Sequence, residues 1–149
     1  MRRFLIVANQ SLNTQRVEQA IRERAEGGEC EFYVVVPATP LREQVVGPGD
    51  RAADLSLTLP ERSFALAQQR LDDALARIGT LGVTVGGEVG EVDVVDAARS
   101  ALSRFSADEI VVSTLPSGLS RWLRADAPSR IARATGLPVT HVAAEPARH

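Results

Sequence analysis

Short apolar runs alternate with longer amphipathic stretches along the whole chain. The runs are Phe4-Leu5-Ile6-Val7-Ala8, Phe32-Tyr33-Val34-Val35-Val36, a weaker Val83-Thr84-Val85, Ile110-Val111-Val112 and Val139-Thr140-His141-Val142. They are rich in β-branched residues and mostly lack polar alternation, the pattern of strands covered on both faces. The stretches between them are long enough to cross over as helices. Such a βαβα succession predicts a parallel sheet held between helical layers.

The helical stretches carry start and stop signals. Asn13 is placed to cap a first helix with Val17, Ala20 and Ile21 on one face, ended by Gly27-Gly28. Thr58-x-x-Glu61 forms a capping box with Pro60 in the first turn, where a missing N–H costs nothing. Phe64, Ala67, Leu71, Ala74, Ile78 and Leu81 then predict a buried stripe. Glu91, Asp93 and Asp96 suit the positive end of a third helix that would bury Val95, Ala98, Leu102 and Phe105. The glycines at 86, 87 and 90 fit no complete G-x-G-x-x-G pattern and are expected to shape the turn into that helix. A last helix starts near Asp126-Ala127-Pro128 and stops at Gly136, ahead of Pro138 and the final strand. The stretch from Ala38 to Leu59, with Pro40, Gly47, Pro48 and Gly49, exceeds the roughly 12–15 residues at which unstructured loops become uncommon. It reads as a surface insertion, with a lid over the sheet's carboxyl edge as the second reading.

Composition narrows the chemistry. The 149 residues contain 17 basic and 19 acidic side chains for a net charge of −2, and every basic residue is arginine. Without lysine there is no Schiff-base catalysis and no phosphate loop of the GxxxxGK[ST] kind. Cys30 is the sole cysteine, which excludes an intrachain disulfide and Cys-rich metal sites. Its neighbours Glu29 and Glu31 should raise its thiol pKa and leave it inert. The only histidines are His141 and His149. The apolar run after Arg2-Arg3 is too short for a signal peptide, and no run approaches membrane-spanning length. A cytoplasmic, soluble chain of one domain over residues 1–149 is expected, with neither membrane nor general nucleic-acid binding.

In an open parallel sheet, ligands sit beyond the carboxyl ends of the strands where the winding direction reverses. After the first strand comes Asn9-Gln10-Ser11. After the fourth comes Ser113-Thr114-Leu115-Pro116-Ser117-Gly118-Leu119-Ser120-Arg121-Trp122-Leu123-Arg124-Ala125-Asp126. Hydroxyls, a glycine and two arginines make the second segment suited to an anion held by backbone N–H groups and guanidinium forks.

The order and wording of these elements resemble the universal stress protein family. The resemblance rests on Val34-Val35-Val36-Pro37, Gly86-Gly87-Glu88-Val89-Gly90, Ala107-Asp108-Glu109-Ile110-Val111-Val112 and Gly136-Leu137-Pro138-Val139, and it covers nearly the whole chain. It implies a three-layer α/β/α sandwich, adenine nucleotide alpha hydrolase-like, with a five-stranded parallel sheet in the order 3-2-1-4-5. It also implies a homodimer paired through the last strand, Pro138 to Val142. Many members bind ATP through G-x2-G-x9-G-[ST] after the fourth strand. Laid on this sequence, the glycine positions fall on Ser113, Pro116 and Asp126 and the hydroxyl position on Ala127, so all four are replaced. Asn9 stands where many members carry an aspartate, and Gly118 is displaced by two residues. Pro116 has no N–H to donate, and Asp126 adds negative charge beside a polyphosphate. The chain therefore resembles a divergent bacterial subgroup lacking the ATP glycines, and no cofactor is assigned.

The leading reading is a non-enzymatic, dimeric module of stress response or regulation, working through a partner or small ligand. The alternative is a protein binding a nucleotide or other anion through Asn9, Ser113, Thr114, Ser117, Gly118, Arg121 and Arg124. A nucleotide hydrolase ranks last. Each feature also has a plain structural reading. Arg121, Arg124, Arg130 and Arg133 fit a solvated face with ion pairs to Asp126. Trp122 fits a loop anchor. Ser113 and Thr114 fit the polar satisfaction of a strand end. His141, with no G-x-S-x-G elbow to serve, fits a packed or interface histidine.

Overall fold

A computed structural model describes residues 1–8, 15–38, 58–114 and 126–143. The five apolar runs form one sheet from β1 (Arg2–Ala8), β2 (Cys30–Pro37), β3 (Thr84–Gly90), β4 (Glu109–Thr114) and β5 (Val139–Ala143). All neighbours are parallel and the order is β3-β2-β1-β4-β5, as the resemblance implied. The crossovers are α1 (Gln15–Glu26), α2 (Leu59–Gly79), α3 (Val94–Arg104) and α4 (Ala127–Thr135). Strand periodicity divides the core. Phe4, Ile6, Phe32, Val34 and Val111 pack against α1 and α2, while Leu5, Val7, Val35, Ile110 and Val112 pack against α3 and α4. Each central strand thus buries both faces, which is why the runs lack polar alternation.

The Gly86-Gly87-Glu88-Val89-Gly90 segment is strand, not the turn expected from its glycines. Its register runs from Glu31↔Thr84 to Pro37↔Gly90. Close packing explains the glycines. A Cβ at Gly87 would lie 2.5 Å from the Val34 carbonyl oxygen and 2.7 Å from Leu71 Cδ1, and one at Gly90 would lie 2.7 Å from both Ala97 Cβ and Val35 Cγ2. Bare backbone lets α2 and α3 approach the sheet.

Two helix faces also differ from expectation. Thr58 caps α2 by accepting from the Glu61 N–H, as predicted. The buried stripe, however, runs back from Ile78 through Ala74, Leu71 and Ala67 to Ser63, so Phe64 turns outward with 53% exposure. In α3, Asp93 is the N-cap and accepts from the Asp96 N–H. That start puts Val94, Ala97, Ala98 and Ala101 inward, whereas the bulkier Val95 and Leu102 pack only partly against the core. Close contact with Gly90 leaves room for alanine on the inner face.

The amino edge of the sheet is tied down by polar contacts. Arg24, in the last turns of α1, donates from Nε and Nη2 to the two carboxylate oxygens of Glu109 at 3.2 and 2.7 Å, and Thr140 also donates to Glu109. Burial alone would push the Glu109 carboxyl up, but the hydrogen bonds from Arg24 and Thr140 outweigh it and hold the group below its ordinary value. The Asp108 N–H donates to the Arg3 carbonyl, and the Arg3 N–H donates to the Asp108 side chain. Arg3 lies over the Phe105 ring at 4.2 Å and Arg2 over Phe4 at 4.9 Å.

Candidate functional site

The sheet order places β1 between β2 and β4, so the winding reverses at the β1/β4 pair. The carboxyl ends of these strands open the crevice in which such sheets bind ligands. In register there are Ala8 of β1, Ser113 of β4 and Val142 of β5. Ala8 belongs to the core layer under α1 and α2, and Val142 packs against it. Alternation puts Ser113 on that same face. Its cross-strand neighbours are therefore an alanine and a valine, neither able to bond a hydroxyl. Ser113 is 0% exposed, and its Oγ has no hydrogen-bond partner among the described residues. A buried hydroxyl left unpaired costs about 1–3 kcal/mol, a reason to expect something else to satisfy it.

Thr114 turns to the opposite face. It follows the alternation of Ile110 and Val112, which pack under α3 and α4, and it is 1% exposed. The two hydroxyls read from sequence as one binding pair are thus separated by the sheet, because consecutive strand residues point apart. Thr114 has a partner instead. Its Oγ1 and His141 Nε2 share a 2.7 Å hydrogen bond. His141 lies in register with Val112 on the outermost strand, and the residue as a whole stays exposed. Desolvation of the ring against its neighbours lowers the His141 pKa from its ordinary value. It has no ion-pair partner among the described residues, and its exposure on the outermost strand sets aside the packed reading while leaving the interface one.

The amino end of α4 completes the described part of the edge. Asp126 is the N-cap with φ 53° and ψ 43°, and its side chain makes no cap bond. Among the described residues it is the only non-glycine at positive φ. Aspartate tolerates this region better than most side chains, though at a cost of about 1 kcal/mol. Asp126 stands where the third glycine of the nucleotide motif falls, and its backbone is left-handed without a glycine. The next residue, Ala127, is buried in the α3/α4 layer that also carries Thr114. With no side chain accepting from the first turn, its amides and the helix dipole favour an anion at this edge.

Other sequence-based candidates fall elsewhere. Asn9, Ser117, Gly118, Arg121, Trp122 and Arg124 lie outside the described residues, as do Asn13 and residues 39–57 of the suggested lid. The expected pairing of Arg130 with Asp126 is not formed through side chains. Arg130 Nη2 lies 3.8 Å from Asp93, while its backbone N–H donates to the Asp126 carbonyl. Cys30 does have a raised pKa, but burial rather than Glu29 or Glu31 is the cause, and Arg2 opposes it. Among the described residues no cluster of His, Cys, Asp and Glu could hold a metal, and no helix is long and apolar enough to cross a membrane.

The sequence signal that could have separated Ser113 from Thr114 was strand alternation. The His141 pairing had no such signal, since it depends on β5 lying beside β4.

The sequence matches no protein-family model and no curated protein. Its fold does match solved structures. A universal stress protein family protein from Burkholderia pseudomallei aligns with a TM-score of 0.56 at 21% identity, covering 93% of this chain and 94% of that one. A universal stress protein in complex with cAMP aligns at 0.57 and 19% identity, covering 96% and 98%. One from Arabidopsis thaliana with AMP bound aligns at 0.62 and 11% identity, covering 97% and 93%. The chain has the universal stress protein fold.

Proposed function

We propose that this chain is a non-enzymatic, cytoplasmic regulatory module, spanning residues 1–149 as one domain, that holds a small anionic ligand of the nucleotide class at the carboxyl edge between β1 and β4. The observation that carries this reading is the fully buried Ser113 Oγ, without a partner among the described residues, at the point where the winding reverses. Complexes of similarly folded proteins with AMP and cAMP support the ligand class. The left-handed Asp126 and uncapped α4 amides support an anion, with Asn9, Ser117, Gly118, Arg121 and Arg124 as its further contacts. The Asp126 carboxylate opposes a polyphosphate, so a singly phosphorylated nucleotide fits better than ATP. A role in stress response follows from the same resemblance.

The test is a thermal-shift and calorimetric panel of AMP, cAMP, ATP and inorganic phosphate. Ligand at a hundredfold excess over its Kd should stabilise the wild type by about 2.7 kcal/mol. Ser113→Ala should weaken the effect. A panel in which nothing raises the melting temperature would overturn the reading.

The outermost place of β5 in the sheet supports a homodimer through Pro138 to Val142. Light scattering at micromolar concentration should give twice the chain mass, and a monomer would rule this out.

A further inference from the structure

We infer that His141 is a positioning residue for Thr114 whose protonation reverses the direction of the Thr114 hydroxyl, so that proton uptake and anion binding at this edge strengthen each other. The inference rests on the proposed ligand edge and adds regulation to it.

The argument starts from the 2.7 Å contact between Thr114 Oγ1 and His141 Nε2. A hydroxyl can donate or accept, whereas an imidazole nitrogen without a proton can only accept and one with a proton can only donate. With neutral His141 accepting at Nε2, the Thr114 O–H points at the ring. Once His141 is protonated on both nitrogens, Nε2–H must donate and Thr114 must accept. The Thr114 proton is then released toward other groups. At 1% exposure Thr114 has little access to water, so a freed O–H is costly unless an acceptor arrives. An anionic oxygen on the α4 side of the carboxyl edge, the face that carries Thr114, is such an acceptor, and it also gains from the new positive charge. Linkage then requires that the anion favour the protonated histidine as strongly as the proton favours the bound anion.

Among the described residues, the charged groups around β5 leave this exchange to the pair itself. On the opposite sheet face, Arg24 of α1 and Glu109 of β4 bind each other. On the α4 side, Arg130 lies beside Asp93, and Asp126 and Arg133 are exposed. None of these described groups forms an ion pair with His141. The β4 residues beside it are Val112 and Thr114. Desolvation keeps the free protein's ring neutral to lower pH, so proton uptake waits for the anion.

The experiment measures cAMP and inorganic sulfate binding to the full chain at about pH 5 and about pH 8, a range over which both anions keep their charge and histidine titrates. Affinity should be about tenfold higher at the lower pH, and NMR titration should show cAMP raising the His141 pKa by about one unit. His141→Gln, which preserves a polar partner but cannot change charge, should bind with an affinity independent of pH. Thr114→Val should lose most of the difference while leaving the histidine titratable. The NMR titration uses wild-type protein and does not depend on either variant folding. Equal wild-type affinity at both pH values, or pH dependence surviving in His141→Gln, overturns the inference and leaves the ligand edge standing. Absence of binding at either pH overturns both.

Discussion

The two ends of the sheet are built from the same strands yet follow opposite rules. At the amino edge every principal polar group is matched: Glu109 takes two bonds from Arg24 and one from Thr140, and Arg3 is fixed by Asp108. At the carboxyl edge Ser113 Oγ is buried without a partner among the described residues, Asp126 holds a left-handed backbone, and Thr114 depends on a histidine from the outermost strand. The contrast teaches where the fold keeps stability and where it gives some up. Ligand sites retain unsatisfied groups and strain because a rigid remainder can bear them.

Breaking the amino edge should have the largest effect. Arg24→Ala leaves the largely buried Glu109 without its main partner, and the expected loss is about 3 kcal/mol of unfolding free energy by urea denaturation. A loss under about 1 kcal/mol would mean that the pair behaves as a surface salt bridge.

Acid should sharpen the same point. The Glu109 pKa is lowered in the folded chain, so the folded state binds fewer protons than the unfolded state over this range. Its stabilisation is present above the ordinary value of 4.5 and is lost as pH falls through the folded pKa. Glu109→Gln should flatten that part of the stability–pH curve. His141, also lowered, adds a smaller effect of the same sign below its ordinary value of 6.5.

At the carboxyl edge, substitutions should stabilise rather than weaken the free protein. Ser113→Ala removes a buried hydroxyl with nothing to bond and should raise stability by about 1 kcal/mol while weakening ligand binding. Destabilisation would show that the hydroxyl is satisfied after all. Asp126→Gly relieves the positive φ at the cost of a more flexible unfolded chain, leaving a gain of about 0.5 kcal/mol. It should also tighten binding of a phosphorylated ligand by removing a negative charge. Chemical denaturation and calorimetry on the same samples separate the two effects.

Much of this was legible in the chain. The apolar runs located β1, β2, β4 and β5, and Thr58, Asp93 and Gly136 marked helix ends where the structure has them. Local chemistry decides such features, since burial on both strand faces and capping of exposed amides need no distant partner. Gly86 to Gly90 defeated local reading because a glycine in a turn and a glycine under a packed helix look alike in sequence. In α3, Ala98 and Phe105 are buried as expected, but Val94, Ala97 and Ala101 take the inner face in place of Val95 and Leu102, because contact with Gly90 rather than side-chain size chose it.

The site divides along the same line. By itself the sequence determined that Ser113 and Thr114 stand at the carboxyl end of β4 and Asp126 at the amino end of α4, because strand and helix lengths set that placement. Only the tertiary structure decided that Ser113 faces alanine and valine while Thr114 meets His141, 27 residues away. The lateral order of strands brings those neighbours together, and hydrogen bonding across it depends on register that no local pattern encodes.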